Sequence, residues 1–385
     1  MHPDTITGDA ATDGRYLRRE AVNEYFWREV KKGNHILFVA PRRVGKTSIM
    51  KDLAQNCPDG FSCLYQDIEG VRSRDEFYHR LFGLVLQCTK QSKLKEARDF
   101  FGRCLQKYSI REISRSGITI GTAAIDYEKE LRDLIPDLKA AKVHTVIFLD
   151  EFAEVIHKLP PDDAVAILHT LREVRHDDAF RHFTLVYGGS IGLEFVIKNI
   201  DRPKLINDLH RIKLKPLTDE EASQLLLQLT KGASIQLTEE VLDYIKRKMD
   251  YLLPYYLQLM LEEIDGIACE NEDPVVTEIT VDGAFQRVLD NRKNFEDWLE
   301  RLKEYQSPHF PFINDILMYT AHRGRITIQE IYNKAENFGR TNDYMDFVDE
   351  LLHDGYLRES GDYVYRFISP FLQQFWLKKY PVYHV

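Results

Sequence analysis

The segment His35-Ile36-Leu37-Phe38-Val39-Ala40-Pro41-Arg42-Arg43-Val44-Gly45-Lys46-Thr47-Ser48 constrains this chain more than any other. Ile36 to Val39 reads as a short buried strand, the residues up to Gly45 as a tight loop, and Ser48-Ile49-Met50-Lys51-Asp52-Leu53 as the opening of a helix. A loop of this form wraps phosphate oxygens in backbone N–H groups. Lys46 then reaches the terminal phosphates and the Thr47 hydroxyl reaches Mg²⁺. Pro41, Arg42, Arg43, Val44, Gly45, Lys46, Thr47 and Ser48 are therefore the expected phosphate-binding residues. The usual pattern opens with Gly where this chain has Ala40, and alanine fits only if its φ is negative.

Val143-His144-Thr145-Val146-Ile147-Phe148-Leu149-Asp150-Glu151 reads as a strand buried on both faces, which belongs inside a parallel sheet. It ends in two carboxylates at the edge where open α/β sheets bind ligands. Asp150 is placed for the metal shell and Glu151 to polarise an attacking water. Such a strand end carries little weight alone; downstream of a phosphate-binding loop it points to hydrolysis of a metal–nucleotide complex.

With 385 residues the chain is long enough for two or three domains. A net charge of −9 argues against a broad nucleic-acid or membrane footprint, and no apolar run approaches the ~20 residues that span a bilayer. The five cysteines, Cys57, Cys63, Cys88, Cys104 and Cys269, lack a Cys-x-x-Cys pair and suit reduced thiols in cytoplasm.

Strands alternating with helices to about residue 215 predict a doubly wound parallel sheet. The expected domains are a disordered tail over 1–14, an α/β core over 15–215, a helical lid over 216–305 and a winged helix-turn-helix over 306–385. Within the lid, Thr218-Asp219-Glu220-Glu221 is a capping box, and helices are expected at 219–230, 239–249, 255–270 and 280–303. In the last domain three helices precede a hairpin turning at Ser360-Gly361-Asp362.

Arg42-Arg43-Val44-Gly45-Lys46-Thr47-Ser48, Leu149-Asp150-Glu151-Phe152, Gly189-Ser190 and Pro254-Tyr255-Tyr256-Leu257 resemble the archaeal-type branch of the AAA+/STAND P-loop ATPases over roughly residues 15–300. The resemblance implies the P-loop NTPase fold, ATP and Mg²⁺ as cofactors, slow hydrolysis, and a lid that moves with nucleotide state. It implies a switch in signalling or defence. By the same resemblance Ser190 is the polar sensor of the γ-phosphate and Pro254 lies near the adenine. Arg202 or Arg211 is the arginine finger offered to a neighbouring copy, which requires a homo-oligomer; surface pairing with Asp201, Asp208 or Asp219 is the plainer reading of both.

Gly188-Gly189-Ser190-Ile191-Gly192 also matches a hydrolase nucleophile elbow, but no histidine downstream has a distinctive setting. His169, His176 and His182 lack the four-residue spacing of helical metal sites. Phe371, Phe375, Trp376 and Tyr380 have the helical spacing of a packed core. The third helix of the winged domain, Asn342 to Asp354, carries five carboxylates and no Lys or Arg. Duplex DNA repels such a helix, because affinity comes from cations displacing counterions. A protein partner, or the ATPase core itself, is therefore expected over DNA, with an ATP-regulated DNA-binding protein of replication-initiator type as the alternative.

Overall fold

Short apolar runs separated by amphipathic ones become strands and helices in alternation. The computed structural model describes residues 1–91, 95–107, 110–114, 117–120, 125–139, 143–189, 192–200, 202–291, 293–305 and 307–383. The chain divides into two compact units. The first comprises Arg18–Val39 and Lys46–Leu214; the second comprises Met1–Leu17, Ala40–Gly45 and Lys215–Val385.

The first unit runs α1 (Glu20–Lys31), β1 (Ile36–Val39), α2 (Lys46–Gln55), β2 (Phe61–Asp67), α3 (Arg74–Gln91), α4 (Lys95–Lys107), β3 (Ile110–Ser114), β4 (Gly117–Ile120), α5 (Tyr127–Asp137), β5 (His144–Asp150), α6 (Phe152–Lys158), α7 (Pro161–His176), β6 (Phe183–Tyr187), α8 (Leu193–Asn199) and β7 (His210–Lys213). Five strands form one sheet in the order β2–β5–β6–β1–β7, and every pair in it is parallel. The expected parallel α/β architecture is therefore present, with an antiparallel β3–β4 hairpin as an insertion. All five residues of β6 are buried, and so are all of β5 after His144, because helices cover both faces. Phe26 stacks on Phe38 and Phe148 at 5.8 and 5.6 Å between ring centroids, which ties α1 to β1 and β5. Parallel pairing sends the carboxyl ends of β1 and β5 to the same edge, the usual ligand edge of such sheets.

The second unit continues with α9 (Asp219–Leu229), α10 (Glu239–Met249), α11 (Pro254–Glu270), α12 (Glu278–Asp290), α13 (Lys293–Tyr305), α14 (Phe310–Arg323), β8 (Ile326–Thr327), α15 (Ile328–Phe338), α16 (Tyr344–His353), β9 (Leu357–Glu359), β10 (Val364–Phe367) and α17 (Pro370–Lys379). The Thr218 hydroxyl accepts from the Glu221 amide at 3.2 Å, and the Glu221 carboxylate accepts from the Thr218 amide at 2.9 Å, so the capping box forms. The single helix expected over 280–303 is two helices, because Asn291 leaves helical geometry at φ −79°, ψ 80°. From α14 onward, helices α14, α15 and α16 precede the β9–β10 hairpin, an antiparallel sheet forms in the order β8–β10–β9, and α17 follows, the element order expected of a winged helix. Phe371, Phe375 and Trp376 are buried, and Phe371 stacks on Phe285 at 4.5 Å, so α12 and α17 share one aromatic core.

The amino-terminal residues depart from the disordered tail expected over 1–14. The Asp4 amide donates to the Leu229 carbonyl at 2.9 Å, the Ile6 amide to Gln258 Oε1 at 2.8 Å, and the Thr5 hydroxyl to Glu262 Oε1 at 2.9 Å. Polar residues without a core of their own are held here by hydrogen bonds to α9 and α11, a pairing that local composition does not disclose.

Candidate nucleotide site

The loop after β1 has the backbone shape of an anion nest. Arg43 and Gly45 both take positive φ, at 70° and 94°. Glycine adopts this without cost, whereas arginine there is strained, and such strain gathers at functional sites. Ala40 is buried and has no positive φ, so the departure from the usual opening glycine is sterically permitted. Helix α2 then starts at Lys46, and the first N–H groups of a ten-residue helix offer a partial positive charge to an anion. Lys46 is 9% exposed and Ser48 is buried.

Within the first unit, β5 delivers Asp150 to the start of α2. Thr47 Oγ1 donates to Asp150 Oδ2 at 2.7 Å, and Tyr65 Oη donates to the same oxygen at 2.9 Å. The Glu151 amide donates to Asp150 Oδ1 at 3.1 Å. A carboxylate only 3% exposed is thus satisfied by three donors. The Tyr65 phenol is held well above its usual pKa, first by burial and then by the Asp150 charge. Glu151 sits at φ 57° ahead of α6, a left-handed conformation uncommon outside glycine and asparagine. Gly188, at the end of β6, makes room for the group: a Cβ there would lie 2.9 Å from Asp150 Oδ1 and 2.5 Å from Met50 Sδ. A hydroxyl and a carboxylate at this spacing are hard oxygen ligands, the donor set Mg²⁺ prefers, so the residues present fit that ion.

The remaining loop residues are described with the second unit. Arg42 Cζ lies 4.8 Å from the ring centroid of Trp298, and Arg43 Cζ lies 4.0 Å from that of Tyr255. Arg42 Nη1 and Arg43 Nε are buried with no hydrogen-bond partner among the described residues. Burial, and next the charge of Arg301, lower the pKa of Arg42. Pro41 is packed against Gly355, where a Cβ would come 2.7 Å from Pro41 Cβ; Val44 is buried. Pro254 is the first residue of α11, immediately before the Tyr255 that carries Arg43.

The other expected residues are placed as follows. Arg211 is committed to Glu194, its Nε donating to Oε1 at 2.5 Å, and not to Asp208 or Asp219; Asp201 lies outside the described residues. Asp208 is instead gripped bidentately by Arg175, whose side chain is 1% exposed, at 2.6 and 3.0 Å. Arg202 is exposed, and Ser190 lies outside the described residues, as does the serine of the nucleophile-elbow reading. His169, His176 and His182 form no cluster of ligand atoms among the described residues. Sequence reasoning gave Tyr65 and Trp298 no role and named Gly188 and Tyr255 only within longer motifs. Tyr65 had one available signal, a polar end within a strand two residues before Asp67, which is in register with Asp150.

No protein-family profile matches the sequence, and no curated protein matches it. Solved structures do. A Walker-type ATPase of Pyrococcus abyssi aligns over 96% of this chain and 99% of its own, with a TM-score of 0.65 and 16% identity. The Aeropyrum pernix ORC2 protein, solved in ADPNP–ADP complexes, aligns over 94% of each chain with a TM-score of 0.51 and 11% identity. With the parallel sheet, the loop before α2 and the carboxylate ending β5 already in view, the likeness settles the architecture: this chain has the α/β fold of the archaeal Walker-type ATPases.

Proposed function

We propose that the chain binds ATP with Mg²⁺, hydrolyses it slowly, and acts as a nucleotide-dependent switch in signalling or defence. The 2.7 Å bond between Thr47 and Asp150 carries this reading, because it joins the helix start and the acidic strand end into one set of phosphate and metal ligands. When bound, the magnesium ion neutralises phosphate charge; Thr47 and Asp150 are the residues that would hold it. Lys46 and the N–H groups of Arg42 to Ser48 bind the phosphates, and Pro41, which has no N–H, shapes the loop. Glu151 accepts the proton of the attacking water. Ser190 senses the γ-phosphate and Pro254 lines the base, as the sequence resemblance implies. Arg202 or Arg211 is the arginine finger for a neighbouring copy in a homo-oligomer, as the sequence resemblance implies; Arg211 would have to leave Glu194 to act.

The switch reading is supported by the stacking of Arg42 on Trp298 and Arg43 on Tyr255. The phosphate-binding loop is thereby packed on aromatic side chains of α11 and α13. A protein partner reading the winged helix would receive the nucleotide state by that route. Free cysteines agree with work in a reducing cytoplasm, and among the described residues no helix is long and apolar enough to cross a membrane. The test is nucleotide binding and phosphate release. Lys46→Ala should abolish binding, and Glu151→Gln should retain ATP while slowing turnover by roughly 10²–10⁴-fold. Equal ATP affinity in wild type and Lys46→Ala would end the proposal.

A second reading, ATP-regulated DNA binding of replication-initiator type, rests on the likeness to ORC2 and on exposed Arg323, Arg325 and Arg366 around the wing. Two features oppose it. Arg358 is paired with Asp250, and α16 keeps Asp346 half-buried and Asp349 exposed, where they would repel phosphate. Duplex binding that weakens steeply with salt and is lost in Arg323→Ala/Arg325→Ala/Arg366→Ala would establish this second reading.

A further inference from the structure

Away from the nucleotide site, one face of α11 carries a polar stripe, Gln258, Glu262, Asp265 and Cys269, spaced by four, three and four residues. That spacing stacks side chains above one another on a helix. The amino-terminal segment lies along this stripe. Ile6 bonds Gln258, Thr5 and Thr7 bond Glu262, and His2 reaches Asp265. The Met1 amine donates to Ser234 Oγ at 2.7 Å and secures the far end.

We propose that His2, Asp265 and Cys269 form a binding site for a borderline-soft divalent cation, Zn²⁺, which fastens the amino-terminal segment to α11. Three observations converge. His2 Nδ1 is 2.6 Å from Asp265 Oδ2 and 4.0 Å from Cys269 Sγ, and the three ligand atoms all lie within 4.8 Å of one another. A tetrahedral zinc with bonds of about 2.0–2.3 Å holds its ligands roughly 3.5 Å apart, so small side-chain shifts suffice. Asp265 is 7% exposed, and its Oδ1 is buried with no hydrogen-bond partner among the described residues. A buried carboxylate with an unsatisfied oxygen is costly, and a bound cation offsets that cost. The nitrogen, oxygen and sulfur donors select Zn²⁺, Co²⁺ or Cd²⁺ over Mg²⁺ or Ca²⁺, which sets this site apart from the oxygen ligands at Thr47 and Asp150. His2 and Cys269 are exposed, so the ion can enter from solvent, and water completes the fourth position. On binding, the Cys269 thiol loses its proton to solvent as the metal–thiolate bond forms; no electron is transferred.

The experiment uses the full chain, stripped of metal by chelator and kept reduced with a phosphine. Co²⁺ is titrated in, followed by competition with Zn²⁺. The expected result is one equivalent of Co²⁺ with a near-ultraviolet thiolate-to-cobalt charge-transfer band, displaced by Zn²⁺. The band should vanish in Cys269→Ser, and Co²⁺ affinity should fall by more than about tenfold in His2→Ala. Zn²⁺ should also slow proteolysis within residues 1–17 of the wild type and leave Cys269→Ser unchanged. Absence of the band in wild type, or an equal band in Cys269→Ser arising from Cys57, Cys63, Cys88 or Cys104, would overturn the site. A band without protease protection would overturn its fastening role.

Discussion

Thr47 and Asp150, 103 residues apart in the chain, are joined by a 2.7 Å hydrogen bond from Oγ1 to Oδ2. The bond links the start of the helix after the phosphate-binding loop to the end of a strand two places away across the sheet, with β6 between β5 and β1. Asp150→Asn keeps the shape but removes the charge and turns one acceptor into a donor facing Thr47 and Tyr65. We expect the Mg²⁺ concentration needed for half-maximal ATP binding to rise about 10–100-fold, equivalent to the roughly 1.5–3 kcal/mol of a hydrogen bond to a charged group. Fluorescent-nucleotide binding at graded Mg²⁺ would measure this, and an unchanged requirement would contradict the assignment of Asp150.

Tyr65 contributes the second donor to the same oxygen. Tyr65→Phe keeps the ring and deletes the hydroxyl, leaving a buried carboxylate one hydrogen bond short. Loss of about 1.5–3 kcal/mol of folding stability is expected, read by denaturant unfolding. A variant as stable as the wild type would show that the carboxylate is satisfied without the phenol.

Gly188 is needed for space alone. In Gly188→Ala the added methyl would lie 2.5 Å from Met50 Sδ and 2.9 Å from Asp150 Oδ1, so one of the two must move. Overpacking of this kind costs about 1–3 kcal/mol. Both melting temperature and Mg²⁺-dependent nucleotide binding should fall, whereas a purely structural clash would lower only the first.

Arg42 should make Trp298 a reporter of the loop, because its guanidinium lies over the indole at 4.8 Å. In a chain with Trp27 and Trp376 replaced by Phe, adding ATP should change the Trp298 emission, and Arg42→Ala should abolish the response. Emission indifferent to ATP would separate the loop arginines from any relay.

His35 makes the first unit acid-sensitive. Burial, then repulsion from Arg175, depress its pKa to about 3, with Asp208 partly opposing, while its Nδ1 accepts the Leu185 amide at 2.9 Å. The unfolded chain takes up this proton near pH 6.5, so stability is full above that pH and is lost as pH falls toward 3. The loss is about 1.4 kcal/mol per pH unit per histidine. His144, depressed to about 4 by burial and then His182, adds to it. Between about pH 7.5 and pH 5, His35→Asn, which keeps an acceptor for Leu185, should lose less melting temperature than the wild type.

Much of this was readable from local patterns. A strand, a glycine-ended loop and a helix beginning at Lys46-Thr47 are contiguous, so residue type and spacing sufficed to identify them. The same holds for β5 with its terminal Asp150-Glu151 and for the Thr218–Glu221 cap, since a continuous apolar run and a local capping box are each contiguous in the chain. The 280–303 helix failed at Asn291, whose backbone leaves helical geometry where apolar spacing would have continued the pattern.

What local pattern could not supply is everything that depends on which distant segments meet. Placing β6 between β1 and β5, setting Tyr65 and Gly188 around Asp150, seating Arg42 on Trp298, and bringing His2 to Asp265 and Cys269 are all outcomes of register and burial. Chain order carries the identity of each side chain. Its neighbours are chosen only when the sheet closes and the helices compete for the same apolar surface, and that choice turned a recognisable loop into a site with named partners.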